Sequence, residues 1–137
     1  MVHALRQARR VLKDGGYLLD LRPAPLHRHI GIEQDGKYEL LIVMKEDFVD
    51  DYAANRAVKE VIDAGLLKLI RRTRFDCTRR MDRFSDFKTW LDEYVSMGKV
   101  RGAEELLETV KRAMRSRKGK RRIVILGPVD LRVLVKQ

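Results

Sequence analysis

The spacing of apolar positions changes several times along the chain, and each change marks a new element. Leu5, Ala8, Val11 and Leu12 recur at helical spacing, Gly15 and Gly16 follow, and Tyr17 to Leu21 is a short apolar run stopped by Arg22 and Pro23. That predicts a helix, a tight turn and a buried strand. Leu26 to Ile32 and Tyr38 to Met44 then flank Gln34-Asp35-Gly36-Lys37, and Asp-Gly between two such runs predicts a β-hairpin. Tyr38, Leu40, Ile42 and Met44 share one face of its second arm, and Leu26, Ile30 and Ile32 share one face of the first, so one side should rest on the core.

Asp47 is placed to cap a helix running to about Ala64, with Asp50 and Asp51 in its first turn, Ala54, Val58, Val61 and Ile62 facing inward, and Gly65 ending it. From Leu67 to Met81 the period becomes two. Leu67, Leu69, Phe75, Cys77 and Met81 fall on one face and Lys68, Arg72, Arg74, Asp76 and Arg80 on the other, which predicts a long strand with one wet face. Ser85 should cap a helix whose Phe87, Trp90, Leu91, Tyr94 and Val95 stripe runs until Gly98; that aromatic stripe reads as core. A second amphipathic helix carries Ala103, Leu106, Leu107, Val110, Ala113 and Met114, and a final strand spans Ile123 to Val135 with a bend at Gly127-Pro128.

The stretch Ala4 to Pro25 reads ALRQARRVLKDGGYLLDLRPAP. It resembles the late helix and fifth strand of class I S-adenosylmethionine-dependent methyltransferases, which carry an ALRxxxRVLKPGGxLLxxxP pattern; Asp14 stands where that family often has proline. The pieces GLLKLIRRTRFDCTRRMDRF and DFKTWLDEY look like the sixth strand and following helix of related small-molecule methyltransferases. The order of elements is similar to the C-terminal half of such an enzyme. The resemblance therefore implies one α/β domain over residues 1–137, a mixed sheet with helices, like half of a Rossmann-like fold, with its final strands antiparallel.

In that family the cofactor lies across the carboxyl ends of the first, second and fourth strands, at the switch point of the sheet. The resemblance places none of those strands in this sequence, so no catalytic or cofactor-binding residue carries over. Arg22 to Leu26, just after the fifth strand, would at most line a substrate pocket. S-adenosylmethionine is then expected only where a partner half supplies its site. An apolar edge such as Tyr17 to Leu21, without a fourth strand beside it, calls for pairing. The expected partner is a second copy or a separately encoded cofactor half, and such a pair would transfer a methyl group to an acceptor. An open frame upstream of Met1 encoding a glycine-rich loop would instead make this chain the end of a complete enzyme.

Length and composition fit a single modest core, with 137 residues, 45% hydrophobic and 36% charged. Thirty Lys and Arg against twenty Asp and Glu leave a net charge of +10, which favours polyanionic partners. Cys77 is the sole cysteine, which rules out an intrachain disulfide and points to a reducing, cytoplasmic setting. The apolar run Leu40 to Met44 is too short to span a bilayer, so no membrane role is expected.

Candidate chemistry is sparse. His27 and His29, with Glu33 further along the same face, lack a further convergent ligand and predict no metal site. Cys77, on the apolar face of the long strand, should be buried and inert. Asp20 lies within a buried run, where a carboxylate must be paired or face a cleft; pairing with Arg22 or an arginine of another strand is the expected arrangement. Asp20, Arg22 and His27 are the substrate-binding candidates. The acid-free run Lys111, Arg112, Arg115, Arg117, Lys118, Lys120, Arg121 and Arg122 supports an alternative function, a non-enzymatic basic module that contacts nucleic-acid phosphates. No aromatic residue is interleaved with it, so base stacking is not expected.

Overall fold

The structure, a computed structural model, describes residues 1–115 and 118–137. Its elements are α1 (Val2–Val11), β1 (Tyr17–Pro23), β2 (His29–Gln34), β3 (Lys37–Val43), β4 (Lys45–Glu46), α2 (Val49–Asp63), β5 (Leu67–Met81), α3 (Phe84–Ser96), β6 (Val100–Arg101), α4 (Ala103–Arg115) and β7 (Arg121–Lys136). The chain is thus α/β, and the register of β1 with β7, β2 with β3, β2 with β7 and β4 with β6 is antiparallel in each case. The final strand is antiparallel to β1 and β2, as expected; no parallel pair occurs among these four. The residues cluster into two compact units, to each of which β5 and β7 contribute a stretch.

The first unit comprises Met1–Pro25, Phe48–Phe75 and Val129–Gln137. β1 lies along β7 from Tyr17 opposite Val135 to Pro23 opposite Val129. Alternation along a strand puts Leu18, Asp20 and Arg22 with Leu134, Arg132 and Asp130 on one face, and Tyr17, Leu19 and Leu21 with Val135, Val133 and Leu131 on the other. The core holds Leu5 of α1, Ala57, Val58 and Val61 of α2, Leu67 and Leu134, with Leu18 packed against it. The opposite face of β1 is open. Tyr17, Leu19 and Leu21 are 65%, 64% and 59% exposed, so the run expected to be a buried strand is buried on one side only.

α2 starts one residue later than expected, with Phe48 at the cap position and no capping bond from its side chain. The backbone N–H of Asp47 donates to the Lys99 carbonyl at 3.0 Å. Asp50 and Asp51 do lie in the first turn, and the helix closes as expected at Gly65, whose φ of 69° lets its N–H and that of Leu66 reach back to Ile62 and Val61. Ser85 does not cap α3: Arg83 occupies the cap position, and Ser85 sits inside the helix, where its carbonyl accepts from Thr89 Oγ1 at 3.1 Å.

The second unit comprises Leu26–Asp47 and Asp76–Pro128. β2 pairs with β3 on one side and with the first residues of β7 on the other. Asp35 and Gly36, at φ 53° and 73°, make the tight hairpin turn that right-twisted strands favour. Phe87, Trp90 and Leu91 of α3 and Leu106, Val110 and Ala113 of α4 pack with Ile30, Ile32, Met44, Ile123 and Ile125 into the core.

The second hairpin arm departs from strict alternation. Ile32 pairs with Glu39 and Gly31 with Leu40, but Ile30 pairs with Ile42, so Leu41 is an extra residue in a bulge. One inserted residue reverses the faces. Met44 is buried and Ile42 packs on the core as expected, whereas Tyr38 and Leu40 are 41% and 47% exposed. The long strand β5 is the larger correction. Leu67 is buried and Met81 packs on a core, but Leu69, Phe75 and Cys77 are exposed, so the middle of the predicted apolar face is left uncovered and the Cys77 thiol is open to solvent. Among the described residues, no helix is long and apolar enough to cross a membrane.

Candidate functional site

The strongest concentration of charge lies in the first unit, on the helix-covered face of β1 and β7. Cross-strand register sets Asp20 opposite Arg132 and Arg22 opposite Asp130. Arg22 grips Asp20 with both edges of one fork, Nε to Oδ1 at 2.6 Å and Nη2 to Oδ2 at 2.8 Å, and Arg132 Nη1 adds a bond to Oδ2 at 3.1 Å. Asn55 Oδ1 of α2 accepts from Arg132 Nη2 at 2.8 Å, tying the cluster to the helix. Asp20 is therefore paired, as expected. Its oxygens are taken, and it pairs with both its own strand's arginine and another strand's.

Asp130 is fully buried and more heavily clamped. Arg74 donates Nε and Nη2 at 2.7 and 3.0 Å, and Arg72 Nη2 donates at 2.8 Å. The hydrogen bonds from Arg74, opposed by burial and reinforced by Arg72, hold its carboxyl down to about 2. A carboxylate so held accepts no proton near neutrality, which suits a structural anchor and not a general base. Sequence reasoning missed Asp130, although an acid inside the apolar run Val129 to Val135 carries the same signal that drew attention to Asp20.

His27, the remaining substrate-binding candidate, belongs to the second unit, where a cleft of about 390 Å³ is lined by Leu26, His27, His29, Val43, Asp76, Leu126 and Pro128. The His27 Nδ1 accepts the Glu46 backbone N–H at 3.0 Å, which puts the proton of the neutral ring on Nε2. Glu46 also binds the Arg28 backbone N–H at 2.8 Å and the Arg28 guanidinium, whose Cζ lies 4.9 Å from the Tyr94 ring centre. These contacts fix the segment that carries His27. Asp76 was not foreseen as a lining residue; burial and then the Asp76 carboxylate push the Tyr38 phenol up. The cleft offers imidazole and carboxylate groups over an apolar floor, a surface suited to holding a small molecule.

Glu33 does not join the two histidines, because its carboxylate faces Arg80 at 3.4 Å. Among the described residues, no group of three or more His, Cys, Asp or Glu is placed to hold a metal ion.

The basic segment divides. Arg112 and Arg115 are exposed in the last turn of α4, where cations complement the helix dipole, and Lys111 is half-buried there. Lys118 and Lys120 are exposed beyond the helix, whereas Arg121 is only 5% exposed and donates Nη1 to the Ala113 carbonyl at 2.7 Å. Arg122 pairs with Asp82 at 3.1 Å. Arg117 lies outside the described residues. Comparison with protein-family models, curated proteins and solved structures finds no match to this chain.

Proposed function

We propose that this chain is the C-terminal half of a class I methyltransferase-like fold, not catalytic by itself, that docks a second polypeptide along β1. The partner is a second copy or a separate cofactor half, and the pair transfers a methyl group from S-adenosylmethionine. The observation that carries the docking reading is β1 itself. It is outermost in its sheet's strand order and presents Tyr17, Leu19 and Leu21 to solvent, an apolar edge and face of the kind that proteins cover or pair. Its place after α1 and a glycine turn supports the resemblance read in Ala4 to Pro25.

Among the described residues, the placement of the positive-φ glycines supports leaving the glycine-rich cofactor turn to a partner. Gly15, Gly65 and Gly98 follow helices and Gly36 closes a hairpin; only Gly102 lies between a strand and a helix, and that strand is the two-residue β6. The site for S-adenosylmethionine is accordingly assigned to the partner. Calorimetric titration of S-adenosylmethionine, with sedimentation in the same buffer, tests the reading. Association without cofactor binding by this chain alone is expected; a monomer that binds the cofactor by itself overturns it.

The alternative, a basic nucleic-acid-binding module, draws support from Lys111, Arg112, Arg115, Lys118 and Lys120, none of which is buried. Binding that collapses with modest salt and lacks sequence preference would mark simple charge attraction.

A further inference from the structure

Arg121 opens β7, opposite Gln34 of β2, and by alternation its side chain shares a face with the core residues Ile123 and Ile125. One of its nitrogens, Nη1, satisfies a carbonyl at the end of α4, while the buried Nε and Nη2 have no hydrogen-bond partner. Buried donors of a cation left unmatched are costly, and structures rarely retain them without a ligand or a role. The unfilled pair is the side edge of the guanidinium, whose parallel N–H groups match two oxygens of one oxyanion. The same edge is used elsewhere, by Arg22 on Asp20, by Arg74 on Asp130 and, at 3.4 Å, by Arg80 on Glu33, each time with both oxygens engaged.

Among the described residues, no carboxylate pairs with Arg121. There is no Asp or Glu from Lys111 to Arg122, Glu33 faces Arg80, and Asp82 faces Arg122. Two further cations, Lys118 and Lys120, precede Arg121 closely in the chain. Lys118 and Lys120 bracket Gly119, whose φ is 101°, and Gln34 Nε2 holds the loop by donating to the Lys118 carbonyl at 2.6 Å. The φ of 101° at Gly119 is what calls for glycine there; a Cβ would fall 2.9 Å from that same Nε2, which could swing aside only by giving up its bond to Lys118.

We propose that Arg121, with Lys118 and Lys120, binds a phosphate group through the empty Nε and Nη2 edge. One guanidinium and two ammonium groups suit a phosphate, with its higher charge and additional oxygens, better than a carboxylate. Neither donor is open to solvent, so binding requires local opening around the edge. This inference stands apart from the methyl-transfer reading.

The test follows the Arg121 Nε–H resonance by nuclear magnetic resonance while inorganic phosphate, and separately a short oligouridylate, is titrated against chloride at constant ionic strength. A saturable shift with inorganic phosphate supports the site and assigns it to free phosphate or a phosphomonoester. A shift with the oligonucleotide alone supports it and assigns the phosphate to a nucleic-acid backbone. Arg121→Met should weaken binding about tenfold or more, and the double variant Lys118→Ala, Lys120→Ala, confined to exposed positions, should weaken it severalfold. An Nε resonance that neither ligand moves, or binding that survives both variants unchanged, overturns the proposal. The wild-type titration decides the matter if Arg121→Met does not fold.

Discussion

Arg74 closes on Asp130 with both edges of its fork, 2.7 Å from Nε to Oδ1 and 3.0 Å from Nη2 to Oδ2, across two strands of the first unit. The carboxylate is fully buried while the arginine side chain is 43% exposed, so the acid is the desolvated partner and the arginine the one that reaches in from the surface.

A pH dependence follows from that clamp. The Asp130 carboxyl lies at about 2 when folded against 3.8 ordinarily, so its contribution is complete above 3.8 and is lost as pH falls through 2. That difference corresponds to about 2 kcal/mol at neutral pH. Asp130→Asn should lower stability by about that much at pH 7, with the gap to wild type closing toward pH 2. Urea unfolding at several pH values checks it; a gap independent of pH would mean that the loss comes from packing.

Leu19 projects from the open face of β1, 64% exposed. Leu19→Asp should therefore change the stability of an isolated chain by no more than about 0.5 kcal/mol, the usual range for surface sites. If β1 is the docking edge, the same substitution should abolish association in sedimentation velocity. Unchanged association would move the interface elsewhere.

Cys77 supplies a direct probe of β5. The exposed thiol should react in the folded protein with a thiol reagent at a rate close to that in denaturant, and Cys77→Ser should cost less than about 0.5 kcal/mol. Strong protection in the native state would mean that the strand's outer face is covered in solution, by association if protection grows with protein concentration.

Gly31 sits on β2 opposite the β3 bulge, with the Tyr38 ring and the Glu39 carbonyl oxygen where a Cβ would go. Gly31→Ala should destabilise by about 1–3 kcal/mol through overpacking, and adding Tyr38→Ala should restore only part of that, because the carbonyl cannot rotate away as a ring can. Thermal unfolding of the two variants separates the contributions; full recovery in the double variant would leave the backbone clash without weight.

Local patterns were enough for much of the architecture. Helical spacing over Val58 to Ile62, the Asp35-Gly36 pair, the glycine after α2 and the period-two run from Leu67 each name an element found near the expected residues, because they act through neighbours a few positions away. The pairing of Asp20 with arginine was also legible, since a carboxylate in an apolar run has few alternatives.

What lay beyond the sequence depends on which surfaces meet. Period two shows that Leu69, Phe75 and Cys77 share a face but not whether anything covers it, and Tyr38 and Leu40 left the core face only because of a one-residue bulge in the pairing with β2. His27 gained a cleft from strands remote in sequence, and Arg121, one basic residue among many in its run, was singled out by burial beside the end of α4. Short-range patterning is written in the order of residues, and by itself it determined the four helices and the longer strands of this protein, though not the two-residue β4 and β6. Burial, register and the partner of each charge arise from contacts between distant segments, and those only the tertiary structure decided.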